Sequence, residues 1–229
     1  MRFELIRAGR SEFRTLDLCR VVIAGWTGRD PAKVREHIWE LASLGVAPPR
    51  ATPCFYRVGL ELLSTASSID CIGDQSSGEA EFIIVVDEAG AWWVGLGSDH
   101  TDRHVETYSI PVSKQICPKP VASALWAYEE VADHWDALEL RSWVDDGAGL
   151  TLYQEGTLAG MLDPRQTARA YVEQGHGEIG PGTLMFGGTF AALGGIRPRQ
   201  RLRMELRDPI HERGLVLDYE TRWLPFQES

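Results

Sequence analysis

Residues 79–86 constrain the fold more than any other stretch, because they read Glu-Ala-Glu followed by Phe-Ile-Ile-Val-Val. Side chains alternate between faces of a strand, so Glu79 and Glu81 share one face with Cα atoms roughly 6.6 Å apart. Ala80, Phe82, Ile84 and Val86 take the other face. Two carboxylates on one face beside buried neighbours repel each other and lose hydration unless a cation lies between them. A second strand-like run, residues 91–95, leads into the loop Gly97-Ser98-Asp99-His100-Thr101-Asp102-Arg103. A hairpin brings Asp99 back beside the glutamates. Three converging carboxylates suit Mg²⁺ or Mn²⁺, or another divalent ion, with water or substrate completing the shell. A Glu-x-Glu strand also occurs as a plain solvated face, so the reading depends on the rest of the chain.

The rest of the chain predicts a mostly β fold with a few helices. Twenty-three glycines and twelve prolines punctuate short apolar runs, as in a turn-rich β protein. Strands are expected at residues 20–25, 55–59, 79–86, 91–96, 137–144, 150–153, 202–206 and 215–222. A further strand flanked by loops is expected within 64–78. Helices are expected over 30–44, with Pro31 in the first turn and Gly45 past the end, and over 164–174. Residues 122–131 are a weaker helical candidate. No linker divides the chain, so 1–229 reads as one domain. An N-terminal strand region and a lid-like helix at about 30–45 precede a metal-binding β core over about 50–229.

Composition narrows the function. The formal charge of −10 argues against a nucleic-acid or anionic-membrane surface. The four cysteines are scattered without metal-finger spacing, no apolar run approaches the roughly 20 residues of a membrane span, and the first residues lack a signal-peptide core. The expectation is a cytoplasmic protein.

Several motifs carry possible chemistry. His37 and Glu40 are three apart on the first helix, so the carboxylate can orient the imidazole as a general base, although such pairs also arise on solvated helices. Lys114 follows the Asp99 loop, and Arg103 within that loop has a planar fork that matches a carboxylate. Gly182–Thr189 is glycine-rich and could offer N–H groups and the Thr189 hydroxyl to an anion, or form a hairpin turn. His100 and His104, with Asp99 or Asp102, are a rival zinc or iron set. No nucleophile elbow or activated cysteine is present.

In order along the chain, these motifs resemble the fumarylacetoacetate hydrolase superfamily. The matching pieces are His37/Glu40, Pro53-Cys54-Phe55, Glu79/Glu81, Ser98–Arg103, Lys114 and Gly188-Thr189. The strings Gly-Ser-Asp-His-Thr-Asp-Arg and Leu-Tyr-Gln-Glu-Gly resemble an uncharacterised branch of that superfamily, a family of unknown function. The resemblance implies a rolled β fold like the fumarylacetoacetase C-terminal domain, a divalent cation on Glu79, Glu81 and Asp99, and a homodimer. It implies a small-molecule 2-oxo acid or 1,3-dicarbonyl substrate such as an acylpyruvate, cleaved hydrolytically at a C–C bond through a metal-bound enolate. His37, Glu40 and Lys114 would be catalytic, and Arg57, Arg103 and Thr189 would bind substrate. Departures lie at Lys33-Val34, Arg57 and His104, where the family usually has Asn-Tyr, a lysine and an aspartate. A decarboxylase, a hydratase or isomerase, and a non-catalytic metal-stabilised binding domain are the competing functions.

Overall fold

The computed structural model describes residues 1–43, 48–145 and 147–227, without the side chains of His37, Glu40, Leu41 and Ser43. Its strands are β1 (Arg2–Arg7), β2 (Arg10–Thr15), β3 (Arg20–Gly25), β4 (Cys54–Val58), β5 (Leu63–Ser64), β6 (Ser68–Ile72), β7 (Ser76–Ser77), β8 (Ala80–Val86) and β9 (Trp92–Ser98). They continue as β10 (Thr101–Asp102), β11 (Lys119–Pro120), β12 (Ala124–Ala127), β13 (Glu139–Asp145), β14 (Leu150–Thr157), β15 (Thr183–Phe186), β16 (Arg201–Asp208) and β17 (Arg213–Leu224). The α-helices are α1 (Pro31–Ser43), α2 (Arg103–Glu106), α3 (Ile110–Gln115) and α4 (Pro164–Glu173). Among the described residues no helix is long and apolar enough to cross a membrane.

Two sheets carry the architecture. An eight-stranded sheet runs β2-β1-β12-β9-β8-β15-β3-β4, and a five-stranded sheet runs β14-β13-β16-β17-β6. Strand β8 is central in the larger sheet and buried along its whole length. Its alternation splits the core. Phe82, Ile84 and Val86 pack with Leu140, Leu202, Met204 and Leu217 of the smaller sheet, while Ile83 and Val85 join Phe3, Val21, Leu125 and Phe186 in a second cluster. Helix α4 starts with a capping box, Asp163 with Gln166. It seats Tyr171 edge-on against Phe55 of β4 at 5.0 Å.

Two sequence expectations change. Residues 122–131 are not a helix. Leu125 and Ala127 enter one cluster and Trp126 the other, a period of two, so the segment forms β12 between β1 and β9 before a short 3₁₀ turn at Tyr128–Glu130. Thr183–Phe186 is not part of a glycine-rich turn but β15, parallel to β3 and antiparallel to β8. Only the residues after Phe186 make the turn.

Candidate metal and substrate site

The β8–β9 hairpin builds the centre of the site. Its register pairs Ala80 with Ser98 and Glu81 with Gly97. The ladder runs one step further, the Asp99 N–H donating to the Glu79 carbonyl at 3.0 Å. One carboxylate oxygen each from Glu79, Glu81 and Asp99 then lies within 4.8 Å of the others. Glu81 and Asp99 are buried and Glu79 half-buried.

Buried carboxylates need compensation. Asp99 receives it from two lysines: Lys114 Nζ donates to Oδ2, and Lys119 Nζ lies 3.2 Å from Oδ1. Burial would raise the Asp99 carboxyl, but the two ammonium groups outweigh it and hold it down at about 2. Lys114 is itself 3.9 Å from Glu79, and these carboxylates keep its ammonium above the usual range against the opposing pull of burial. Among the described residues, no such cation contacts Glu81. Its Oε2 accepts the Gly188 N–H at 2.7 Å, and burial, then Asp99 and Glu79, push its carboxyl well above the usual range. A carboxyl raised by its own neighbouring carboxylates is one that a divalent cation would ionise. The donor set therefore fits a hard, oxygen-preferring ion.

Gly188 is required by close approach. It adopts φ +103, and a Cβ there would lie 1.9 Å from the Thr27 hydroxyl, which itself donates to the Gly187 carbonyl at 2.8 Å. Any side chain would push the N–H off Glu81.

The three carboxylates border a cavity of about 670 Å³. Lys114, Arg103, Tyr56 and Thr189 line it, as do Asp30, Lys33 and Val34 from the start of α1 and the apolar segment Phe190–Ala192. Arg103 points to Glu79 at 3.3 Å and Glu106 at 2.8 Å, with Nε donating to the Ser77 hydroxyl at 2.7 Å. Lys114 sits 5.8 Å from the Tyr56 ring centroid.

The structure brings Glu79, Glu81, Asp99, Arg103, Lys114 and Thr189 together. It does not bring Arg57. Alternation along β4 turns Arg57 to solvent, and Tyr56 takes the cavity wall. The Thr189 hydroxyl donates to the Ala80 carbonyl at 2.8 Å and accepts from Gln154 at 2.7 Å, so its proton is committed within the protein. The His37 and Glu40 side chains lie outside the described residues. The histidine-based alternative does not assemble among the described residues: the His100 Nδ1 bonds the Tyr219 hydroxyl at 2.9 Å in the interior, and His104 is exposed against Tyr108.

Three participants escape sequence reasoning. Lys119 is fully buried against Asp99 and the His100 carbonyl. Glu106 fixes Arg103. Gln154 accepts from the Ala80 N–H at 3.0 Å and the Ser142 hydroxyl at 2.8 Å while donating to Thr189 and, at 2.7 Å, to the Phe190 carbonyl. The string that carries Gln154 was legible as a likeness, but nothing in it signals a keystone.

A family model covers residues 24–219, most of the chain, with the description "Protein of unknown function (DUF2848)". The chain belongs to the DUF2848 family. This bears out the expectation of an uncharacterised branch. Its fold is that of fumarylacetoacetate hydrolase proteins, as expected from the ordered motifs. A provisionally assigned fumarylpyruvate hydrolase from Burkholderia cenocepacia matches with a TM-score of 0.65 at 18% identity, over 98% of this chain and 95% of that one. A 2-keto-3-deoxy-D-arabinonate dehydratase complexed with magnesium and 2,5-dioxopentanoate matches at 0.61 and 15% identity, over 91% and 75%. The 4-oxalocrotonate decarboxylase from Pseudomonas putida G7, complexed with calcium and acetate, matches at 0.55 and 15%, over 92% and 78%. No curated protein is significantly similar in sequence.

Proposed function

We propose that this DUF2848 protein is a divalent-cation-dependent enzyme that hydrolyses a carbon–carbon bond in a 2-oxo acid or 1,3-dicarbonyl substrate of the acylpyruvate kind. The observation that carries the reading is the convergence of Glu79, Glu81 and Asp99 on one cavity wall, with fixed cations beside them. These carboxylates would hold Mg²⁺ or Mn²⁺, whose chemistry when bound is to polarise a chelating carbonyl and stabilise the negative charge that builds on its oxygen.

The protein's own groups divide the remaining work. Lys114 is kept charged by Asp99 and Glu79, so it serves as a fixed cation for a developing oxyanion and not as a base. Arg103, its guanidinium engaged by Ser77, Glu79 and Glu106, orients Glu79 and adds a fixed positive charge beside the substrate carboxylate. Thr189, its hydroxyl engaged, positions the turn that delivers the Gly188 N–H to Glu81. Arg57 has no part in this scheme, and Tyr56 replaces it at the wall. With both cations committed, the base must come from elsewhere. Helix α1 begins at the cavity rim and carries His37 with Glu40, which would take the proton from a water attacking the distal carbonyl.

Charge supports a substrate with one carboxylate. Glu79, Glu81, Asp99 and Glu106 face Arg103, Lys114 and Lys119, leaving a formal charge of −1. A divalent cation makes it +1, which a single carboxylate neutralises in a buried site.

The fold neighbours named above include a dehydratase and a decarboxylase, so product identity is the decisive test. Incubation of acylpyruvates with Mg²⁺ in ¹⁸O water should yield pyruvate and a second shorter acid, the latter carrying ¹⁸O in its newly formed carboxylate. His37→Ala should slow that reaction by roughly 10²- to 10⁴-fold. Conversion of oxaloacetate to pyruvate, unaffected by His37→Ala, would instead establish a decarboxylase.

A further inference from the structure

We propose that His134, Asp208 and His211 form a second cation site, suited to a borderline transition metal such as Zn²⁺ and separate from the acidic centre. His134 lies in the 3₁₀ segment Ala132–Ala137, Asp208 ends β16, and His211 lies in the turn before β17. His134 Nε2 stands 3.0 Å from Asp208 Oδ1, and His211 Nδ1 stands 2.8 Å from Oδ2. One ligand atom from each residue falls within 4.8 Å of the others, and the imidazole centroids are 5.0 Å apart.

The carboxylate is already oriented from behind. Its Oδ1 accepts the N–H groups of Ile210 at 3.1 Å and His211 at 3.2 Å, and Oδ2 accepts Arg213 Nε at 3.2 Å. Outer donors of this kind hold metal-binding carboxylates in place. Arg213 does not bar a cation, because Glu130 takes its charge at 2.7 Å. Asp208 is buried, whereas His211 is 47% exposed, which leaves a fourth position open to water. Two imidazoles and one carboxylate select Zn²⁺, Ni²⁺ or Co²⁺, while the all-oxygen set of Glu79, Glu81 and Asp99 selects a harder ion.

Without metal, each ring meets the carboxylate through the same nitrogen that would ligate. On binding, each neutral ring keeps its proton on the opposite nitrogen and turns its lone pair to the metal. The ion would then fasten the 132–137 segment to the β16–β17 hairpin. None of the three residues lines the cavity.

The test is calorimetric titration of ZnCl₂ into protein saturated with Mg²⁺, with thermal denaturation read in parallel. One Zn²⁺ per chain should bind, persist in Glu81→Gln and raise Tm. His211→Ala, at a half-exposed turn position, should weaken binding by about 100-fold or more and abolish the Tm rise. His134→Gln should do the same. Zn²⁺ that Mg²⁺ displaces and Glu81→Gln abolishes would place binding at the acidic centre and overturn the proposal, as would undiminished binding in His211→Ala or no binding at all.

Discussion

Glu81 concentrates the conflict between burial and charge. Metal-free, its carboxyl is buried, faces Asp99 and Glu79, and is held well above its usual range. A native pKa above the unfolded value of about 4.3 stabilises the fold below that pH, and the contribution is lost as pH rises through the native pKa. The stability of metal-stripped protein relative to Glu81→Gln should therefore fall as pH rises above about 4.3, read as the difference between the two Tm profiles. The Tm gain on adding Mg²⁺ should grow over the same rise, since the ion binds the deprotonated form. A Tm difference from Glu81→Gln that stays constant, or grows in favour of the wild type, as pH rises through this range would contradict the assignment. The acidic triad was legible because strand alternation and a hairpin are local rules. Lys119 and Glu106 were not, since their partners are set by how separate segments dock.

At the scale of elements, Gln154 joins strands β8, β13 and β14 to the turn after β15. Gln154→Leu takes the acceptor from the Ala80 N–H and the Ser142 hydroxyl and the donor from the Phe190 carbonyl, while the Thr189 hydroxyl keeps its bond to the Ala80 carbonyl. Unsatisfied buried groups cost about 1–3 kcal/mol apiece, so chemical denaturation should register a loss of about 3 kcal/mol or more. Mg²⁺ affinity should fall as well, because the turn presents Gly188 to Glu81. A variant of wild-type stability and affinity would remove Gln154 from this role. Strands marked by an unbroken apolar run, such as β8, or by alternation, such as β13, were readable from sequence. β12 and β15 were not: β12 is only four residues long and helix-permissive in composition, and β15 sits beside glycines that mimic a turn. Their strand identity comes from pairing with distant β1, β3 and β8.

Over the whole molecule, the five-stranded sheet packs on one face of β8 while the second cluster closes the other. Phe82 stands edge-on to Trp135 at 5.0 Å and fills the space over Gly187. Phe82→Ala should cost about 3–5 kcal/mol in urea denaturation. The fold class was legible from turn-rich composition and ordered motifs, while the strand order was not, because parallel pairs such as β1 with β12 join segments over 110 residues apart. In the function proposed above, this scaffold holds a divalent cation on three carboxylates and presents it to a 2-oxo acid. Calorimetric titration of oxalate, an enolate mimic, into metal-stripped protein with and without Mg²⁺ or Mn²⁺, repeated on Glu81→Gln, tests it most directly. Oxalate should bind only with metal, and Glu81→Gln should abolish that binding. Metal-independent oxalate binding, or full binding by Glu81→Gln, would contradict it.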